Sequence, residues 1–441
     1  VSDFRTGRAG RLASLGGLAV RLGGTAIGLA GKRVTAGRDR ALEALHRRTA
    51  EQLFETMAQM KGLPMKVGQL LSFMDGVVPP EYQSIYSQLL SRLQVSAKPM
   101  PWEQMRAVLE AELGQLYTEA FASFETEPIA AASIGQVYRA ELADGRRVAV
   151  KVQYPGIATA VRSDLRNAGS IVKTIHSIMP NVQSGVMVQD FLDRIGEECD
   201  YRREAKNMQA FHARWADDPR VVIPAVVPEL SRERVLVSEL HVGQTLDEAA
   251  ATADQSRRSA IGVVLFEFVF HSLLTHGMFN ADPHPGNFLF PNDPGPVRVV
   301  FLDFGCVQYF DDDARRAIRR VVDAILDGVR GEALWPVLTA AFQFPDDTSA
   351  PLREIIEKYG VYCFEPALEP QPYRYTHDYT RRLSELTFEA KMTVAKHLLR
   401  VGWRDPKRHG LVMLSRILFG MNSLLATLEA EADWRRLLRA S

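Results

Sequence analysis

NADPHPGN, Asn280 to Asn287, followed after a short strand by FLDFG, Phe301 to Gly305, is the stretch on which the reading of this chain turns. Asp282 and Asn287 stand five residues apart, and Pro283 and Pro285 between them fix the backbone, so the loop is rigid. It follows an apolar run, Ser259 to Thr275, whose Glu267 and His271 mark a buried helix rather than a membrane span. The residue types suit one chemistry. The Asp303 carboxylate and the Asn287 carbonyl are hard oxygen ligands of the kind Mg²⁺ prefers, and Asp282 adds a carboxylate beside an attacking hydroxyl or water. His284, a single histidine between two prolines, is open to two readings, a metal ligand or a structural group.

An Asp, an Asn five positions later and an Asp-Phe-Gly after one more hairpin match the catalytic loop and metal-binding motif of protein kinases. Upstream, Val148-Ala149-Val150-Lys151 ends an apolar strand in a lysine placed to neutralise α- and β-phosphates. The strands Gln136 to Leu142 and Arg146 to Gln153 flank Asp144-Gly145, a hairpin turn, so Phe121 to Val152 reads as a small antiparallel sheet. Residues 35 to 119 and 156 to 216 have helical spacing. Residues 220 to 240 read as two short strands, VVIPAVVPEL and RVLVSEL, and 252 to 277 as a long apolar helix. Short strands around Phe288 and from Val297 to Leu302 precede a helical C-terminal half, whose first helix begins at Asp311-Asp312-Asp313, acids suited to a helix N-terminus. The expected fold is α+β, a bilobal protein-kinase-like arrangement in four parts. These are a basic Gly-rich arm at 1–40, a helical extension at 41–120, an N-lobe at 121–240 and a helical C-lobe at 241–441.

At 441 residues the chain is long enough for two or three packed units, and 46% hydrophobic with 24% charged residues is ordinary for a globular protein. Lys+Arg and Asp+Glu are both 53, which argues against a dedicated nucleic-acid binder. Cys199, Cys306 and Cys363 form no CxxC pair, so neither a disulfide scaffold nor an ordinary structural zinc site is expected, and a reducing compartment is the default. The balance hides an asymmetry: residues 1 to 50 hold ten Lys/Arg against Asp3, Asp39 and Glu43. Within this arm Leu12 to Gly31, LASLGGLAVRLGGTAIGLAG, approaches the length of a membrane span but is broken by Arg21 and six glycines. Gly24 and Gly28 have the GxxxG spacing, and Arg5, Arg8, Arg11, Lys32 and Arg33 suit anionic headgroups. A flexible arm packed on its own protein or on a second copy is the other reading. No small-residue cleavage site marks a signal peptide, and a chain opening on Val1 leaves room for an upstream segment.

The sequence departs from an ordinary kinase in several places. Where a Gly-rich phosphate lid is expected, Pro128 to Val137 reads PIAAASIGQV, with alanines that cannot take positive φ without cost and so a stiffer lid. The next helical acid after Lys151 is Glu204, more than fifty residues on, which leaves room for an inserted helical hairpin. After Gly305 a helix follows within about eight residues, with no long activation segment and no Ala-Pro-Glu. Lys66 and Gln69 share a helix face at i and i+3, which taken alone also describes a solvated face, and Glu198, Asp200 and Glu204 put three acids close together.

Together, Lys66-Val67-Gly68-Gln69 (KxGQ), the loop Ala130-Ala131-Ala132-Ser133, Lys151, Glu198-Cys199-Asp200 (ExD) with Glu204, Asp282 to Asn287 and Asp303-Phe304-Gly305 resemble the UbiB/AarF-like atypical kinases linked to ubiquinone biosynthesis. The resemblance covers roughly residues 5 to 430. It implies that Lys151 pairs with Glu204, that Asn287 and Asp303 bind the metal, and that Lys66 and Gln69 form a plug facing Glu198 and Asp200. Some members end in a pair of membrane helices, whereas Arg435, Arg436 and Arg439 here belong to a polar amphipathic helix.

The reading that follows is an Mg²⁺-dependent atypical kinase or ATPase that binds ATP or ADP and supports isoprenoid-quinone synthesis at a membrane surface. Asp282, Lys151 and Glu204 are its catalytic set. Ala130, Ala131, Ala132, Ser133, Val137, Ala149 and Leu289 contact the nucleotide, with backbone at Glu239, Leu240 and His241 along the adenine edge. Expected partners are anionic lipid, quinone precursors and quinone-biosynthesis enzymes, with an oligomer possible. The expected location is the cytoplasmic face of a bacterial membrane, or the mitochondrion in a eukaryote. Protein phosphorylation in trans is not expected, because the plug and the short segment from Cys306 to Asp313 leave no platform for a peptide. A small-molecule phosphotransferase and a nucleotide-switched lipid-binding scaffold with little turnover are the alternatives.

Overall fold

The structure, a computed structural model, describes residues 47, 51, 84–85, 99–132, 134–159, 199–280, 284–344, 347–401 and 420–441. The basic arm, Lys66, Gln69, Ser133, Glu198 and Asp282 lie outside the described residues. The chain divides into two compact units, one of Val1–Arg203 with Val227–Glu239 and the other of Glu204–Val226 with Leu240–Ser441.

In the first unit, helices α1 (Trp102–Leu113) and α2 (Leu116–Ala120) precede the strands β1 (Phe121–Phe124), β2 (Ala130–Ala132), β3 (Gly135–Leu142) and β4 (Arg147–Gln153). With β6 (Val235–Glu239) these make a five-stranded sheet of order β1-β3-β4-β6, β2 also pairing with β3. The period of two set by branched residues explains its core: Val148, Val150 and Val152 are buried on one face of β4, while Ala149 and Lys151 alternate with them. The β3/β4 turn has the expected chemistry, Gly145 at φ 86° and the Asp144 carboxylate accepting from the Arg146 N–H at 3.0 Å. Helix α1 buries Met105, Val108, Leu109 and Leu113 and packs on β4, with Trp102 5.3 Å from the Tyr138 ring.

β3 begins with a glycine for a steric reason. A Cβ on Gly135 would lie 2.2 Å from the Val152 carbonyl oxygen and 3.0 Å from the Tyr201 hydroxyl. Gly135→Ala is therefore expected to lower stability by about 1–3 kcal/mol. Urea denaturation is the check, and a midpoint equal to that of the unchanged protein would show that β4 yields without cost.

Helix α3 (Tyr201–Trp215) has its first three residues in the first unit and the rest in the second. The second unit continues with β5 (Val221–Val222), and with α4 (Leu246–Thr252) and α5 (Gln255–Leu274). Both helices are N-capped, α4 by a Thr245/Glu248 capping box and α5 by Asp254. Of VVIPAVVPEL only Val221–Val222 forms a strand. Pro224 and Pro228 lack the N–H a ladder needs, Pro228–Leu230 is a 3₁₀ turn, and β5 pairs parallel to β9 rather than with β6. After α5 come β7 (Met278–Asn280), β8 (Phe288–Leu289), β9 (Val299–Phe301) and β10 (Val307–Tyr309), β8 pairing with β9 and β7 with β10, all antiparallel. Gly277, at φ 62°, turns the chain from α5 into β7, and its carbonyl accepts from the Phe310 N–H at 2.7 Å.

The remainder is mostly helical: α6 (Asp312–Leu326), α7 (Trp335–Phe342), α8 (Ala350–Tyr362), α9 (Glu365–Leu368), α10 (His377–Val401) and α11 (Trp434–Ala440). A two-stranded ribbon of β11 (Tyr373–Arg374) and β12 (Glu431–Ala432) accompanies them. Asp311 caps α6 by accepting from the Ala314 N–H, and Asp312 and Asp313 occupy its first turn, where the helix dipole favours negative charge. The amphipathic α11 buries Trp434 and Leu438 completely, Trp434 lying 5.0 Å from the Phe266 ring of α5, so its apolar side belongs to the core of this unit. Among the described residues no helix is long and apolar enough to cross a membrane.

Candidate functional site

In the first unit the strand register gathers several of the residues expected to contact the nucleotide. Ala130 pairs with Val137, and Val137 with Lys151. Directly opposed residues share a face, and so do alternate residues of one strand, so Ala130, Ala132, Val137, Ala149 and Lys151 lie on one side of the sheet. Ala131, opposite the buried Gln136, lies on the other. The alanines are extended strand rather than a tight turn, which removes the need for positive φ. The lid strands β2 and β3 pair antiparallel, and Ile134, buried just before β3, accepts a hydrogen bond through its carbonyl from the Tyr154 N–H at 2.8 Å.

The Lys151 ammonium sits 5.1 Å from the centroid of the Tyr201 ring, a cation–π contact. The same tyrosine approaches Gly135, so one side chain reaches both the lid strand and the lysine. Gln153, fully buried, donates to the carbonyls of Cys199 at 2.9 Å and Glu233 at 3.2 Å and ties the segment before α3 to the end of β4. Asp200 accepts from the Arg202 N–H and guanidinium, both at 3.1 Å, and Arg202 continues to Glu233 at 3.0 Å, so this acid carries an ion pair of its own. Glu239 is exposed at the end of β6.

In the second unit β8 and β9 form a hairpin in which Phe288 faces Phe301 and Leu289 faces Val300. One step further the Leu302 N–H donates to the Asn287 carbonyl at 2.9 Å, which brings Asn287 and Asp303 to adjoining ends of the two strands. His284 has a structural part: its Nδ1 accepts from the Gly286 N–H at 3.0 Å and caps the Pro285–Asn287 turn. The Gly305 N–H donates to the Asp303 carboxylate at 2.9 Å, and the Asn280 amide donates to the Asp303 carbonyl at 2.6 Å. Below them Phe304 is fully buried 4.9 Å from Phe211, and Phe211, Phe268, Phe301 and Phe288 continue the aromatic row. Burying one such ring contributes about 2–3 kcal/mol, enough to anchor the backbone that carries Asp303. Glu204, on α3, is 4% exposed, and Leu240, His241 and Leu289 are half-buried.

A carboxylate and an amide carbonyl held on rigid backbone fit Mg²⁺, which takes one or two protein oxygens and completes its shell with water and phosphate. Among the described residues no group of three or more His, Cys, Asp or Glu could hold a metal. Sequence reading missed Tyr201, Asn207, Asn280 and Tyr309. Asn280 opens the quoted loop and so had a signal, whereas Asn207, three positions after Glu204, had none in its local sequence.

The small antiparallel sheet with its lysine, the hairpin-borne Asn and Asp, and the helical remainder define a protein-kinase-like α+β fold. A family model described as "ABC1 atypical kinase-like domain" matches residues 92–331, and the chain belongs to that family. It is 37% identical over 332 residues to the mitochondrial atypical kinase COQ8B of Rattus norvegicus, covering 74% of this chain and 62% of that protein. It is 32% identical over 315 residues to the mitochondrial atypical kinase COQ8 of Saccharomyces cerevisiae, covering 71% and 62%. The chain thus spans about three-fifths of the length of these relatives. A solved structure of Rv3197 from Mycobacterium tuberculosis, determined as a complex with erythromycin, superposes with a TM-score of 0.61 at 28% identity over 91% of this chain and 97% of that one.

Proposed function

We propose that this chain binds Mg²⁺ with ATP or ADP and carries out slow phosphoryl chemistry, hydrolysis or transfer to a small or lipid molecule, in support of ubiquinone synthesis at a membrane surface. The observation that carries the reading is the β8/β9 hairpin that sets Asn287 and Asp303 at adjoining strand ends, with the Asp303 carboxylate oriented by the Gly305 N–H. In it Asn287 and Asp303 hold the metal, Lys151 neutralises the α- and β-phosphates, Glu204 is the acid of the set, and Asp282 takes the proton of the attacking hydroxyl or water. Ala130, Ala132, Ser133, Val137, Ala149, Leu289 and the Glu239–His241 backbone serve the nucleotide, with Ala131 contributing backbone alone. Lys66, Gln69, Glu198 and Asp200 form a plug that keeps protein hydroxyls away. Membership of a family whose matched relatives are COQ8 kinases supports the quinone setting, and the basic arm supports attraction to anionic lipid.

The test is phosphate release from Mg-ATP by the purified chain, alone and with anionic or neutral vesicles, beside nucleotide-induced thermal stabilisation. Slow release that anionic vesicles raise is expected. Nucleotide binding with no release under any condition would favour the scaffold, and neither binding nor release would remove the reading.

A further inference from the structure

The Phe304–Gly305 peptide is gripped at both ends by side chains of the same unit. Its N–H donates to the Asp303 carboxylate at 2.9 Å, and its carbonyl accepts from the Asn207 amide at 2.9 Å. Asn207, three residues beyond Glu204 on α3, is 5% exposed, and its own Oδ1 accepts from the Tyr309 hydroxyl at 2.8 Å. The amide orientation is forced, since a carbonyl only accepts and so faces the NH₂ group. One buried side chain therefore ties α3, the peptide after the metal ligand and the strand β10 into a single polar network.

We propose that Asn207 is a positioning residue for the metal ligand Asp303, with Tyr309 fixing the Asn207 amide in turn. The inference rests on the reading of Asp303 as an Mg²⁺ ligand. Glycine at 305 makes rotation of the 304–305 peptide sterically cheap, and such a rotation would carry the N–H away from the Asp303 carboxylate. Holding the carbonyl prevents it. The preceding carbonyl, that of Asp303, is held by Asn280, so two asparagine amides fix consecutive peptides of the motif. A purely structural asparagine could bridge any two segments; this one grips the peptide whose other end orients the carboxylate.

The experiment measures the Mg²⁺ concentration that half-saturates ADP-induced thermal stabilisation in the unchanged chain, Asn207→Leu and Tyr309→Phe, beside ADP binding in EDTA by a fluorescent analogue. Leucine keeps the volume and removes both hydrogen bonds. Tyr309 is 55% exposed, so loss of its hydroxyl leaves the packing in place and that variant decides the matter should Asn207→Leu fail to fold. Loss of one buried hydrogen bond corresponds to about a fivefold change. The Mg²⁺ half-point is expected to rise about fivefold or more in Asn207→Leu and by a smaller factor in Tyr309→Phe, with binding in EDTA unchanged. An unchanged half-point in the folded variants overturns the inference and leaves the functional reading standing. Equal weakening with and without Mg²⁺ also overturns it, because the asparagine would then serve the fold alone. Absence of Mg²⁺-dependent stabilisation in the unchanged chain removes the reading itself and the inference with it.

Discussion

Asp303→Asn is expected to abolish the Mg²⁺-dependent part of nucleotide-induced stabilisation while leaving the fold intact. The substitution is narrow. Asparagine keeps an oxygen able to accept from the Gly305 N–H at the position where the carboxylate now does so at 2.9 Å, so the loop geometry survives and the negative charge is what disappears. A divalent cation held by one carboxylate and one amide loses its only charged protein ligand in the proposed set. A ligand at a hundredfold excess over its Kd stabilises by about 2.7 kcal/mol, a shift of several degrees for a domain of this size. That shift should persist in the unchanged chain with Mg²⁺ and collapse to the metal-free value in the variant. Asn287→Ala should act in the same direction and less strongly, because a neutral ligand is lost. Thermal scans over a series of Mg²⁺ concentrations read both, and an unaltered Mg²⁺ dependence in Asp303→Asn would remove Asp303 from the metal site.

The parts of this structure that were legible in the sequence are those fixed by local chemistry. Asp144-Gly145 between two alternating runs specified the β3/β4 hairpin, and the acid triplet from Asp311 placed the start of α6, because turn residues and caps act over two to four positions. The β8/β9 hairpin, which sets Asn287 and Asp303 at adjoining strand ends, was legible because its two strands are close in sequence. What was not legible depends on distant neighbours. Asn207 meets Phe304 across 97 residues and Tyr309 across 102, and nothing in the local pattern of α3 announces either contact. The alanine stretch stands where a Gly-rich lid is expected, so positive φ is the local issue in the sequence, and the partner strand that removes it is not visible there. Pairing of Ala130 with Val137 places the alanines in extended backbone that any residue adopts. VVIPAVVPEL failed as a full strand because two prolines outweigh its valines, and its remnant joined β9, a partner some seventy-eight residues away.

Lys151→Ala is expected to remove turnover far more than it removes stability, and the strand explains the separation. Val150 and Val152 beside it supply the buried face of β4, whereas Lys151 lies on the other face, opposite Val137 and Leu236. Among its contacts with the fold is the Tyr201 ring at 5.1 Å, a cation–π interaction of about 0.5–1 kcal/mol at a partly exposed site. The sheet hydrogen bonds come from backbone and survive the substitution. Against that small loss stands charge developing on the phosphates, where removing one fixed electrostatic donor typically costs about 10²- to 10³-fold in turnover. Glu204→Gln should have the same sign and a smaller size, since it removes the acid and leaves the lysine. The measurement is phosphate release at saturating Mg-ATP beside urea denaturation of each variant. Full turnover in folded Lys151→Ala would take the lysine out of the chemistry and return VAVK to an ordinary strand end. A midpoint shifted well beyond the cation–π contribution, with turnover falling only in proportion to the unfolded fraction, would make it a residue of the fold alone.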